Sequence, residues 1–454
     1  MNWHRKIILL ATTLGSFLTT FMSSSINIAL PSIGEEFLID TISLSWIATS
    51  FLLATAMFLV PIGRIADIYG RKKIFTFGIS FFTFSSLLSI ISKSAALLII
   101  FRFLQGIGAA MIYGTSVAIL TSVFSINERG TILGINVASV YLGLSLGPFL
   151  GGFLTQHYGW RSIFFTNVIL GLIIILLVTL KLKEEWVEAE GEKFDYVGSI
   201  IYGFSLLIIM YSLSILPEML GAWLVIIGIF GIFSFFFWET KTKNPILDVN
   251  LFRSNMVFAF SNLATLINYS ATFAITFLLS LYLQYIKGLD PQSAGLTLIA
   301  QPIVMTISSP LAGKLSDKIE PRVVASFGMA LTTLGLFTFV FLNEKTHLKS
   351  ILAGLIIIGF GLALFSSPNT NAIMSSVKKK FYGVASGTLG TMRVVGQMLS
   401  MGIVMLIFSF HIGKTQINHE FYSLFLVGIK TSFIIFSILC FIGIFASLAR
   451  GKVR

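Results

Sequence analysis

Two stretches decide the fold: Pro61–Lys73 reads PIGRIADIYGRKK, and Pro310–Arg322 reads PLAGKLSDKIEPR. Setting Gly63 on Gly313 superposes Asp67 on Asp317. Each stretch is short and basic, contains glycine, and is flanked by long apolar runs. Each therefore reads as a tight loop between two membrane-crossing helices. A motif that returns at the same place in two sets of helices points to a duplicated chain, built as two related six-helix halves.

Outward from these loops the chain is apolar almost throughout. Of 454 residues, 56% are hydrophobic and 11% charged, against roughly 45–50% and 25% in soluble domains. That composition excludes a water-soluble globule. A helix needs about 20 apolar residues to cross a bilayer. Runs of this kind lie at 7–31, 43–63, 74–92, 95–121, 131–154, 162–181, 197–216, 220–238, 255–286, 293–313, 323–342, 350–375, 383–410 and 423–448. The fold class is thus an all-α polytopic membrane protein of fourteen spans, with spans 7 and 8 inserted between two pseudo-symmetric six-helix bundles. The expected division is 1–182 for the N-terminal bundle, 183–254 for a linker with the two added helices and the loop after them, and 255–454 for the C-terminal bundle. The run at 255–286 exceeds what a bilayer requires and is expected to tilt or to extend past it. Asp290 and Pro291 read as a helix cap and its first-turn proline.

An even number of spans puts both termini on one side. With that side cytoplasmic, 22 of the 31 Lys and Arg fall at inner segments and 7 at outer ones, counting Lys430 near the outer end of the last run, which leaves Arg102 and Arg393 deep inside spans. This asymmetry places the termini in the cytoplasm and accounts for the net charge of +12 without nucleic acid. The apolar run after Lys6 is too long, and too polar at its centre, for a cleavable leader, so it is taken as the first helix. The segment 181–196 carries Glu184, Glu185, Glu188, Glu190, Glu192 and Asp195 and reads as a solvated linker. The lone Cys440 closes no intrachain disulfide. No nucleophile–base or metal-ligand constellation stands out and no G-x-x-x-x-G-K-[ST] element occurs, so neither an enzyme, a metal, a cofactor nor direct ATP drive is expected.

Several motifs, in order along the chain, resemble the major facilitator superfamily. Gly63, Arg64, Ile65, Ala66, Asp67, Gly70, Arg71 and Lys72 resemble its loop signature, and Arg102, Gln105, Gly106 and Gly108 its second motif. Gly134, Gly143, Gly147, Pro148, Gly151 and Gly152 match the span-five pattern of its antiporters. With fourteen spans, Trp160-Arg161, Asn167, Ser386-Gly387 and Arg393, the chain is similar to the fourteen-helix drug:proton antiporter family. The resemblance implies a transporter exporting small amphipathic compounds by alternating access, of the multidrug efflux type and coupled to protons. It also implies a monomer in a prokaryotic cytoplasmic membrane, whose partners are a small-molecule substrate, protons and the lipid bilayer. An uncoupled facilitator, or an exporter of a specific anionic or zwitterionic metabolite, is the alternative reading. A non-transporting membrane sensor ranks behind both.

The motif residues carry physical expectations of their own. Gly63 and Gly70 bracket a tight turn. Asp67 is expected to contact Arg71, Arg129 or a neighbouring helix N-terminus, and the resemblance implies that this contact, with Asp317 as its repeat, gates the inner end. Gly143, Gly147 and Gly151, four apart, permit close helix approach, and Pro148 should bend its helix beside the Leu144 carbonyl. A sliding or bending contact between the gating helices of the two halves is expected there.

The acidic residues depart from the family pattern. None of the nineteen Asp and Glu falls near the middle of a span, where proton-coupled transporters commonly place a relay. Aligned on Ala29-Leu30-Pro31, Met22 occupies the position at which the family has a carboxylate, and Ser24 that of its hydroxyl. Arg102 and Arg393 are each expensive in hydrocarbon, by roughly 2.5–3.5 kcal/mol, and are expected to face the bundle interior. Arg102 shares a helix face with Gln105, and Ser23, Ser24 and Asn27 could offer it acceptors. It is either a structural hub or an unpaired cavity cation that favours anionic or zwitterionic substrates. The candidate cavity residues are Ser24, Asn27, Arg102, Gln105, Tyr113, Asn136, Gln301 and Arg393.

Overall fold

A computed structural model describes residues 3–182, 184–378, 382–413, 415–417 and 419–451, without the side chains of 4, 126, 127, 129, 131, 317 and 419. The elements are α1 (Trp3–Phe37), α2 (Thr41–Tyr69), α3 (Arg71–Ile90), α4 (Ala95–Val123), α5 (Ile126–Tyr158), α6 (Arg161–Lys181), α7 (Tyr196–Ile215), α8 (Met219–Glu239) and α9 (Val249–Ser254). They continue with α10 (Met256–Thr272), α11 (Ile275–Leu281), α12 (Pro291–Leu298), α13 (Ala300–Lys318), α14 (Pro321–Phe339), α15 (Leu348–Ser375), α16 (Tyr382–His411) and α17 (Tyr422–Ala449). Among the described residues, fourteen stretches are long and apolar enough to cross a membrane. One combines α10, α11 and a π-helical turn at Tyr282–Ile286, and another joins α12 to α13.

Two spans depart from the expectation for a physical reason. The first helix runs through Pro31 to Phe37. Pro31 lacks the N–H that would bond the Asn27 carbonyl, and the Ser280 hydroxyl of α11 donates to that carbonyl instead, at 2.8 Å. The long run at 255–286 is broken rather than only tilted. It turns at Phe273–Ala274, where the Ala274 N–H donates to the Ser400 hydroxyl of α16 at 3.1 Å. The start of α12 is as expected: Asp290 accepts the Ser293 N–H at 2.9 Å, and Pro291 fills the first turn.

The packing repeats as the motif does. In the first half α1 packs on α5, α2 on α4, and α3 on α4 and α6. In the second, α10 packs on α16, α13 on α15, and α14 on α15 and α17. The inserted pair sits outside this plan: α7 touches α2 and α16, and α8 packs mainly on α7.

The halves meet chiefly at the end remote from the termini. There α5 abuts α12 and α1 abuts α11. The Thr41 hydroxyl donates to the Thr415 carbonyl at 2.9 Å, and the Gln284 amide to the Ile28 carbonyl at 3.0 Å. Toward the termini, Gly63 on α2, Gly134 on α5, and Gly383, Gly387 and Gly390 on α16 have no atom within 4 Å of where a side chain would begin. The halves are therefore in close contact at the far end, while these glycines of α2, α5 and α16 face open space at the end that carries the termini.

Candidate functional site

Helix α16 lines the open space with one face. Gly383, Gly387 and Gly390 recur every three or four residues, which stacks them on one side of a helix, and Arg393 follows one turn further on. Its side chain is partly exposed, and its Nε has no hydrogen-bond partner. The guanidinium lies 5.2 Å from the ring centre of Tyr269 on α10. Tyr113 of α4 and Tyr141 of α5, both from the other half, are its further electrostatic neighbours. On α5, Gly134, Ala138 and Tyr141 share a face leading inward from the open end. The Tyr141 hydroxyl pairs with that of Ser366 on α15 at 2.8 Å, a contact that crosses between halves at mid-depth. The Tyr113 hydroxyl engages Thr19 of α1. The junction thus gathers one cation and three aromatic rings, drawn from both halves.

The other intramembrane arginine is placed quite differently. Arg102 has no exposure. Its Nε donates to the Ile47 carbonyl of α2 at 3.2 Å, its Nη1 donates to the Gln105 amide oxygen, and the guanidinium lies 4.4 Å over the Phe51 ring. Gln105 in turn donates to the Ser86 hydroxyl of α3 at 2.7 Å. Arg102 and Gln105 are a hub inside the first half, not cavity groups, because backbone, amide and ring already satisfy the cation.

The remaining candidates mostly join helices. The Ser24 hydroxyl donates to the Leu144 carbonyl at 3.1 Å, which Pro148, four residues on, deprives of its helical donor. Asn27 is buried and offers its carbonyl to Ser280. Asn136 donates to the Ser16 hydroxyl of α1 at 3.0 Å. Met22 is buried with its sulfur 3.0 Å from the Asn167 amide of α6. Gln301 stands partly exposed on α13.

Helix α5 divides its small residues between two partners. A Cβ at Gly143 would lie 2.2 Å from Thr20 Oγ1, one at Gly147 2.6 Å from Ser24 Cβ, and one at Gly151 2.7 Å from Ser25 Cβ. That stripe packs on α1 within its own half, which corrects the expectation that it forms the contact between halves. Pro148 and Gly152, one residue further round, make that contact. A Cβ at Gly152 would meet the Pro291 carbonyl oxygen at 2.4 Å, and one at Gly295 the Pro148 carbonyl oxygen at 2.2 Å.

At the open end, Asp67 accepts from Arg71 Nε at 2.8 Å. The Arg71 guanidinium also bonds Ser122 Oγ of α4 at 2.5 Å and pairs in bidentate fashion with Glu188, 2.7 Å on each side. The tight turn expected between Gly63 and Gly70 is instead the last turns of α2, with Gly70 alone separating it from α3, and the linker expected to be solvated is strapped across this junction. The Glu188 and Ala189 N–H groups donate to the Asp67 carbonyl, the Arg71 N–H donates to the Trp186 carbonyl at 2.9 Å, and Glu185 accepts the Lys72 N–H at 2.8 Å. Glu192 bonds Arg64. Gly70, at φ +116°, leaves room for the Glu185 carboxyl, which lies 2.6 Å from where its Cβ would be. Asp317 belongs to α13, but its side chain, like that of Arg129, lies outside the described residues.

Sequence reasoning passed over Tyr141, Ser366 and the strap. Tyr141 could have been found from its seven-residue spacing to Gly134. The acidic run at 184–195 could have been matched to the basic segment at Arg64–Lys73. Ser280 and Gln284, four apart in an otherwise apolar run, also signal a helix-to-helix contact.

Comparison with known proteins agrees with this architecture. The family model described as Major Facilitator Superfamily matches twice, over residues 12–265 and 261–453. The riboflavin transporter RibZ of Clostridioides difficile (strain 630) is 28% identical over 97% of this chain and 96% of its own length. Multidrug resistance protein Stp of Mycobacterium tuberculosis (strain CDC 1551 / Oshkosh) is 30% identical over 89% of this chain and 76% of its own. A crystal structure of a bacterial homolog of the human lysosomal transporter Spinster, inward-facing and unoccupied, superposes with a TM-score of 0.70 at 16% identity, covering 99% of this chain and 98% of that one.

Proposed function

The chain belongs to the Major Facilitator Superfamily as a fourteen-helix membrane transporter, not an enzyme, and on that premise we propose that it exports small amphipathic compounds by alternating access. The observation that carries this reading is the junction of the halves, sealed at one end by backbone contacts between α5 and α12 and open at the other. Rocking about the central tyrosines and Arg393 exposes the same groups to either side. The cation asymmetry, 22 against 7, supports a cytoplasmic position for the termini and so for the open end. The protein then acts as a monomer in the bacterial plasma membrane, with 1–182 and 255–454 as its rocking halves and 183–254 between them. Residues Gly63, Asp67, Gly70, Arg71 and Asp317 serve as its inner gate.

Proton antiport forms part of the reading through the family resemblance. Purified protein in liposomes, loaded with a fluorescent amphiphilic dye and given an imposed pH gradient, tests both parts. Protein-dependent dye efflux accompanied by proton movement is expected. Efflux indifferent to the gradient removes the proton and leaves a facilitator; no protein-dependent efflux removes export.

A further inference from the structure

Arg102 shows what a structural arginine looks like at mid-depth in this protein, since a carbonyl, an amide and a ring enclose its guanidinium. Arg393 lacks that enclosure. Its Nε is without a hydrogen-bond partner, and among the described residues no carboxylate pairs with it. The Tyr269 ring, 5.2 Å away, supplies a neighbour of complementary charge distribution. It stands at the inner limit of the open glycine face of α16, between halves that each contribute tyrosine. An arginine keeps its proton under all ordinary conditions, and an unpaired cation at this depth is costly. No span carries an acid near its middle, so a ligand bearing negative charge would be the first charged partner of this cation.

We propose that Arg393, with Tyr113, Tyr141 and Tyr269, binds an aromatic amphiphile carrying a single negative charge, such as a carboxylate or sulfonate, and that the compound crosses as its anion. This rests on the export reading above and names the substrate class it serves. The planar guanidinium forks onto two anionic oxygens, and the tyrosine rings take the flat apolar body. Tyr141 and Ser366 hold the two halves together beside the bound charge, so the ligand touches both rocking bodies at once. Arg393 remains cationic throughout, and the ligand's own charge is what moves. Outward transport is therefore favoured by an inside-negative membrane potential.

Three probes sharing one naphthalene body separate charge from shape: 2-naphthalenesulfonate, 2-naphthylmethanol and 2-naphthylmethylammonium. With full-length purified protein, the sulfonate is expected to bind at least tenfold tighter than the ammonium. Arg393→Gln should erase the difference between the sulfonate and the ammonium, and Arg393→Lys should keep its sign. In liposomes at equal pH on both sides, a potassium diffusion potential should shift the protein-dependent distribution of the sulfonate, tenfold for about 60 mV where the anion moves alone and for about 30 mV where one proton enters in exchange. Equal binding of all three probes, or preference for the ammonium, overturns the anion site. Protein-dependent flux of the ammonium would then still leave the export reading standing, whereas flux of neither charged probe overturns both. If Arg393→Gln does not fold, the comparison of probes on the unaltered protein decides.

Discussion

Gly152→Ala tests the seal between the halves directly. The new Cβ would sit 2.4 Å from the Pro291 carbonyl oxygen and 3.1 Å from Gln292 Cα. Both are backbone atoms, which cannot rotate away, so α12 must withdraw from α5 by about 1 Å to restore ordinary contact. Overpacking of this kind costs about 1–3 kcal/mol, and here the cost falls only on the state in which the far end is closed. The ratio of far-end-closed to far-end-open molecules should therefore drop by about 5- to 150-fold. The sole cysteine, Cys440, is buried, so a reporter can be added on a silent background. Gly387→Cys faces the open space, and its labelling by a membrane-impermeant maleimide from the terminal side should slow as that space closes. Gly134→Ala, with nothing within 4 Å of the new methyl, should leave labelling unchanged. A Gly152→Ala protein that folds normally and labels as fast as, or faster than, its parent would refute the reasoning.

Three further outcomes follow from particular contacts. Ser24→Ala strips the Leu144 carbonyl of its donor and should cost about 1–3 kcal/mol in thermal unfolding. In a Pro148→Ala background, where the backbone N–H returns to Leu144, the cost should largely vanish, and equal costs in both backgrounds would contradict the account. Arg71→Gln removes both N–H donors of the bidentate pair with Glu188, so tryptic cleavage after Lys193 in the strap should accelerate at least tenfold. Glu188→Gln, whose side chain is 61% exposed, should change stability by only about 0.2–1 kcal/mol. The backbone N–H of Ser293, donating to Asp290, holds that carboxyl below its ordinary value. A depressed carboxyl stabilises while ionised, so its contribution is present above about pH 4 and is lost as the pH falls through the folded value. Asp290→Asn should flatten the dependence of Tm on pH between 5 and 3; an unchanged slope would count against that role for the cap.

Much of the architecture is legible because it is local. A run of apolar residues long enough for a bilayer has few alternatives to a helix, and the loops at Asp67 and Asp317 repeat in plain sight. Which helix face meets which partner is less legible. The stripe at Gly143, Gly147 and Gly151 announces a close approach, yet the same stripe would serve α1 or the opposite half equally well. Arg102 and Arg393 look alike as letters, since both are single cations in apolar runs. What separates them is the Ile47 carbonyl, Gln105 and the Phe51 ring around one, and open space beside the other. The strap at 184–195 escapes notice because acidic residues in a loop read as solvated until the guanidinium of Arg71 is seen to face them.

By itself, then, the sequence determined the membrane class, the fourteen spans, the duplication and the superfamily, all of which follow from hydropathy and short motifs along one chain. The tertiary structure alone decided which small residues seal the halves, how the acidic linker holds the gate loop, and which of two arginines stands unpaired at the centre. Those outcomes depend on which distant side chains and carbonyls surround each group, and such neighbours are set by packing between helices rather than by position in the chain.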